Sequence, residues 1–250
     1  MARVRSRNRT SDKGKIHFYK GRIPTQHEID IKDDQEQALF VDEVQQASSE
    51  KMRIVITWIP KGQRSRFRKS MNVFDPKLKS RGEVKYANTS PEERIDFYED
   101  VLKQDFNVYD SVSMDIPYNV VEIVGKRQGH FSGYWESRYL YQLEAVIRQA
   151  VADHTGYIDL VMDKPPLDII EEIRLMCNRI IGEGYQIRWV TISPSRHVTE
   201  LQSHDMIAGL DYDISTGWVQ RDKSVLNMTT DRRKRYDAII ERLKSKLRSR

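Results

Sequence analysis

One cysteine, Cys177, stands in 250 residues. A lone thiol builds neither an internal disulfide framework nor a zinc ribbon, and a reducing, cytoplasmic setting is the expectation that goes with it. No apolar run approaches the roughly 20 residues needed to span a bilayer. Arg3, Arg5 and Arg7 are followed by no apolar stretch, so the start does not read as a secretory signal. No internal repeat is present. His130, His154 and His197 fall near the ends of elements and lack metal-ligand spacing.

A strong excess of one charge is lacking overall, at a net +5, but the distribution is uneven. Residues 1–22 hold eight Lys/Arg against one acid, and residues 231–250 hold nine against three. The two ends therefore carry +13 and leave −8 for the body between them. Basic ends meet phosphate backbones or anionic surfaces, or are simply solvated. Hydrophobic residues at 38% and charged residues at 32% fit a polar globular protein, and the length suits one domain with tails.

Residues 1–36 show no sustained periodicity and read as a basic, flexible tail. Ala38-Leu39-Phe40-Val41 is a buried strand closed by Asp42-Glu43. Met52 to Ile59 is a second strand, stopped by Pro60. Residues 61–89 are irregular and basic, and read as loop. Ser90-Pro91-Glu92-Glu93 starts a helix, with Ser at the cap, Pro first and Glu third. Asn107 to Ile116 is a third strand. Tyr134 to Val151 is a long helix, on which Tyr134, Trp135, Tyr139 and Tyr141 read as core packing ahead of base stacking. Tyr157 to Met162 is a strand ended by Asp163. Asp168 caps the next helix, whose apolar stripe includes an inert Cys177. Gln186 to Ile192 is a strand, residues 199–209 are a helix ending at Gly209, and residues 231–250 are a basic amphipathic helix. Hairpin strands followed by strands alternating with helices give an α/β mixed sheet with helices on both faces.

Acids at strand ends are natural sites for metal and phosphate chemistry, because ligands in open α/β sheets lie beyond the strand ends. Asp42 and Asp163 both close strands. Asp159 shares a face with Asp163 but lies further back. Asp205 falls with Leu201 and Ala208 on one helical stripe, pointing inward, with His204 off it. A buried carboxylate needs a partner, so Asp205 is a metal ligand, half of a salt bridge, or a cap to a loop.

Four stretches carry a resemblance: Phe40-Val41-Asp42-Glu43; Gly82-Glu83-Val84-Lys85 before Ser90-Pro91-Glu92-Glu93-Arg94; Ile158 to Asp163; and Leu201-Gln202-Ser203-His204-Asp205-Met206-Ile207-Ala208-Gly209. Over residues 37–215 the chain resembles the domain of unknown function family 3800, which is similar to ribonuclease H-like nucleases. It departs in the first motif, where Val44-Gln45 replaces Ser-Gly. The resemblance implies a ribonuclease H-like domain and a cluster of Asp42, Glu83, Asp163 and Asp205 holding two Mg²⁺ or Mn²⁺ ions for phosphodiester hydrolysis on RNA or DNA. Glu136 is an alternative to Glu83, and Lys85 is either a phosphate contact or a surface lysine. Residues 216–250 then form a linker and a basic C-terminal helix, which would lie on nucleic acid, a membrane surface or a protein partner. The competing expectation is a non-catalytic binding protein of the same fold, docking on RNA, a ribonucleoprotein or a protein.

Overall fold

A computed structural model describes residues 16–18, 36–45, 51–74, 84–111, 114–115, 132–165 and 169–248. The strands are β1 (Ile16–Phe18), β2 (Gln37–Gln45), β3 (Lys51–Ile59), β4 (Asn107–Asp110), β5 (Met114–Asp115), β6 (Ile158–Met162) and β7 (Ile187–Ile192). The helices are α1 (Arg64–Lys69), α2 (Pro91–Val101), α3 (Ser132–Ala152), α4 (Ile170–Gly182), α5 (Thr199–Ser215), α6 (Lys223–Leu226) and α7 (Thr230–Lys246).

All seven strands join one mixed sheet in the order β1-β7-β6-β2-β3-β4, with β5 beside β3. β2, β3 and β4 are antiparallel neighbours, while β2, β6 and β7 run parallel. Alternation along β2 separates two cores. Leu39 and Val41 face a cluster with Tyr139, Leu143 and Val146 of α3 and Ile173 and Cys177 of α4. Ala38 and Phe40 face the other, with Phe67, Tyr98, Leu201, Ile207, Tyr236 and Leu243 from α1, α2, α5 and α7. The fold is thus an α/β mixed sheet with helices on both faces, and Cys177 is core as the stripe implied.

Local rules hold where they are strong. Ser90 accepts from the Glu93 amide, and Glu93 returns the bond to the Ser90 amide. Elsewhere the structure corrects the reading. Gly209 does not end α5, which continues to Ser215. The basic stretch after Pro60 is not loose: Phe67, Met71 and Phe74 are buried, and Arg64 reaches Asp159. Asp159 is held between Arg64 and Arg188, a structural carboxylate. Ile16–Phe18, within the segment read as tail, pair antiparallel with β7. The third strand breaks at Ser111, whose amide and hydroxyl bond Ile54. Asp168, read as a cap, lies outside the described residues, as does His130.

The C-terminal helix is part of the body. Tyr236, Ile239 and Leu243 of α7 are about 1% exposed, and Arg235 pairs with Asp96 and Glu99 of α2. Beyond α7, Leu247 bridges Val108 in parallel and the Arg248 amide donates to the Val108 carbonyl at 2.8 Å. Packing therefore runs through the boundary set at residue 215.

One buried acid on α5 stands apart. Asp211 is 2% exposed, and its Oδ2 has no hydrogen-bond partner among the described residues. Burial, then repulsion from Asp110, pushes its carboxyl up to about 7, against the pull of Arg53. The unfolded chain ionises this group near pH 4. Between about pH 4 and 7 the folded protein keeps a proton that the unfolded chain has lost, so stability falls as pH rises through that window and levels off above it. The Asp211 contribution is on the order of 4 kcal/mol across it. Asp211→Asn should flatten that part of the slope, read by urea unfolding at several pH values; an unchanged slope would refute the assignment.

Candidate carboxylate site

The parallel pairing of β2 with β6 places Val41 opposite Met162, and the Asp163 amide donates to the Val41 carbonyl at 3.0 Å. Asp163 follows β6 directly, whereas Asp42 does not close β2 as its sequence suggests: β2 runs on to Gln45, and Asp42 pairs with Val55 of β3, one residue past the stretch paired with β6. α5 lies across this face, with Leu201, Ala208 and Phe40 in one core. Asp205 hangs from it near Asp42. The Asp42 carboxyl is held well above the usual carboxylate range, first by burial and then by repulsion from Glu43, Asp205 and Asp163. Two of the sequence-predicted acids, Asp163 and Asp205, thus lie close enough to act on a third, Asp42.

Glu43 was not singled out as a site residue. Alternation turns it to the α3 face, where the Tyr139 hydroxyl donates to it. Burial pushes its carboxyl up to about 7, opposed by that hydrogen bond and reinforced by Asp163. The signal was present in the sequence as two adjacent acids after an apolar strand, with a Tyr on the facing helix. Glu136 lies one helical turn before Tyr139, at the same end of α3.

Each aspartate also binds a backbone amide. Asp42 accepts from the Glu43 amide at 2.7 Å. Asp163 accepts from Lys164 at 2.7 Å and from Ser195 at 2.9 Å. Asp205 accepts from the Tyr86 amide at 2.6 Å, so its role as a tie to a loop is realised. Gln202, one turn earlier, accepts from the Val84 amide and donates to the Ser195 carbonyl. α5 thereby fixes both the segment after Glu83 and the turn after β7. Lys85 sits between the two tethered amides. Glu83 itself lies outside the described residues. Among the described residues, no group of three or more His, Cys, Asp or Glu side chains is placed to hold a metal ion.

Two histidines, His154 and His204, take structural positions; the side chain of His197 lies outside the described residues. His204, read as off the inward stripe, is fully buried, with Nδ1 at 2.7 Å from the Thr57 hydroxyl, and burial lowers it to about 3. His154 stacks on Trp58 at 3.8 Å and meets the Tyr109 hydroxyl. Of the aromatic residues on α3, Tyr139 is buried and Tyr141 is 72% exposed.

Tyr86 locks this arrangement. Its ring lies on Gly209, its hydroxyl donates to Asp213, and the Arg94 guanidinium covers it 3.5 Å from the ring centre. A methyl at Gly209 would overlap the ring at its root, where a rotamer change gives little relief. Gly209→Ala gains about 1 kcal/mol of helix propensity but should lose about 1–3 kcal/mol net to overpacking. Tyr86→Ala in the same chain should cancel part of that loss. A double-mutant cycle by denaturant unfolding measures it, and additive effects would show that the ring does not lie there.

No protein-family model matches the chain, and no curated protein matches it.

Proposed function

We propose that the protein is a metal-dependent phosphodiesterase of ribonuclease H-like type acting on nucleic acid, with Asp42, Asp163 and Asp205 as its core. The observation that carries this reading is the crowding of Asp205 and Asp163 on the buried Asp42, where the pairing of β2 with β6 ends. A divalent cation would relieve it. The donors are carboxylate oxygens, which suit Mg²⁺ or Mn²⁺. Asp42, Asp163 and Asp205, with Glu83, would hold the metal, and when bound it supplies activation of water and charge stabilisation at the departing oxygen. The chain's own part is positioning: Tyr86, Gln202 and Ser195 fix the carboxylates and the segment bearing Lys85, which is suited to a phosphate. The hairpin strands followed by parallel crossover strands support the ribonuclease H-like assignment, and a cytoplasmic setting belongs to the same proposal.

A second reading has its own observation. The aspartates are engaged by backbone amides, and no three-ligand group stands among the described residues. On that reading the acids tie loops together and the protein binds nucleic acid or a protein without cutting. Among the described residues no helix is long and apolar enough to cross a membrane.

Metal linkage separates the two readings. Millimolar Mn²⁺ should raise the melting temperature of the wild type, because the ion binds the folded site and not the unfolded chain. Asp42→Asn should raise the metal-free melting temperature by removing repulsion and should blunt the response to Mn²⁺. It should also abolish Mn²⁺-dependent cleavage of labelled RNA or DNA. A melting temperature indifferent to Mg²⁺ and Mn²⁺, with no cleavage, establishes the binding reading.

A further inference from the structure

The turn after α5 presents an aromatic residue outward on a rigid support. Gly217, at φ +68, reverses the chain after the helix. The Trp218 amide then donates to the Asp213 carbonyl at 2.9 Å, and the Trp218 carbonyl accepts from the amides of Arg221 and Asp222 at 2.8 and 2.9 Å. Val219 and Val225 anchor the segment in the core, at 3% and 1% exposure. Trp218 remains 39% exposed, and Leu226 57%. Arg221 is fixed beside the ring, 5.9 Å from its centre, by the carbonyls of Thr216 and Gly217. The backbone is thus fully committed while the indole is left partly in water.

The stretch that follows it is rich in cations. From residue 221 to 235 six Lys/Arg face two acids, Asp222 and Asp231. Asp222 is occupied in capping α6. Arg233 pairs with Asp237, and Arg235 with Asp96 and Glu99. Lys223, Arg232 and Lys234 are exposed and make no ion pair among the described residues. A protein partner would be met by a larger apolar patch. A single rigid indole, a guanidinium on its flank and unpaired cations beyond match bases that stack and phosphates that follow.

We propose that Trp218 and Arg221 form a base-stacking subsite for single-stranded nucleic acid, with Lys223, Arg232 and Lys234 contacting its phosphates. The subsite is tied to the acids by one chain of contacts: the Tyr86 amide on Asp205, the Tyr86 hydroxyl on Asp213, and the Asp213 carbonyl on the Trp218 amide. Asp205 and Asp213 are about 12 Å apart along the helix axis, which is about three to four stacked nucleotides. The inference deepens the proposed function by naming a single strand as the substrate class, and it rests on that reading only for the link to cleavage.

The test is fluorescence anisotropy with a labelled twelve-nucleotide single strand, in RNA and DNA versions, against the same sequence as duplex, in EDTA. The wild type should prefer the single strand. Trp218→Ala should weaken single-strand binding about tenfold or more, while Trp218→Phe should retain most of it. The salt dependence should be unchanged in Trp218→Ala but shallower in the Lys223→Gln/Lys234→Gln double variant. Equal binding by wild type and Trp218→Ala, or no single-strand preference, overturns the subsite, as does a wild type that binds no oligonucleotide. The RNA and DNA arms assign the strand chemistry. A parallel Mn²⁺ cleavage assay keeps the two proposals apart. Trp218-dependent binding without cleavage removes the nuclease and leaves the subsite, whereas cleavage by a Trp218→Ala variant whose binding is also unchanged removes the subsite and leaves the nuclease.

Discussion

Burying α5 on nearly all sides is the constraint around which the molecule is organised. A helix in that position has little solvated face, so most polar side chains on it meet a partner, Asp211 being the exception described above. Glu200 meets Arg68, Ser203 the Phe67 carbonyl, and His204 the Thr57 hydroxyl. Gln202 and Asp205 meet the amides of Val84 and Tyr86, and Asp213 meets the Tyr86 hydroxyl. These partners come from α1, β3 and the segment before α2, so one helix sets the mutual position of elements far apart in the chain. The acid site is where this organising helix lies over the end of β6 and the part of β2 beside it.

The same placement explains the tension in the site. Bringing Asp42 and Glu43 into a desolvated corner beside Asp163 opposes the ionisation of Asp42 and Glu43, and hydrogen bonds offset only part of it. An amide stabilises a carboxylate but carries no full charge. Asp42 and Glu43 therefore keep their protons to higher pH than free carboxyls do.

The legible parts of the fold were those governed by local chemistry. The capping box at Ser90, the alternation of β2 and the position of Asp163 at the end of β6 follow from a few adjacent residues; Asp42 does not end its strand, because pairing with β3 carries β2 on to Gln45. The illegible parts depend on distant partners. Arg64 and Arg68 look like a basic loop until Asp159 and Glu200 are found 95 and 132 residues away. Gly209 carries the usual mark of a helix end, yet here it makes room for a ring from another segment. His204 was misplaced because a single inward stripe presumes a solvated back, which α5 largely lacks. Glu43 was overlooked because its partner hydroxyl lies on a helix that reaches it only after the crossover.

The docking of Leu247 and Arg248 against Val108 sets a timetable for biosynthesis. β4 is an outer strand, and an outer strand with free amides and carbonyls can recruit a strand from another chain. The groups that cover it, such as Arg248 on Asn107, are separated from it by 141 residues. At about 5–20 residues per second a ribosome needs roughly 7–28 s to deliver them. During that interval the nascent chain carries an unpaired sheet margin, and shielding it falls to the ribosome surface or a chaperone until the polypeptide supplies its own cover.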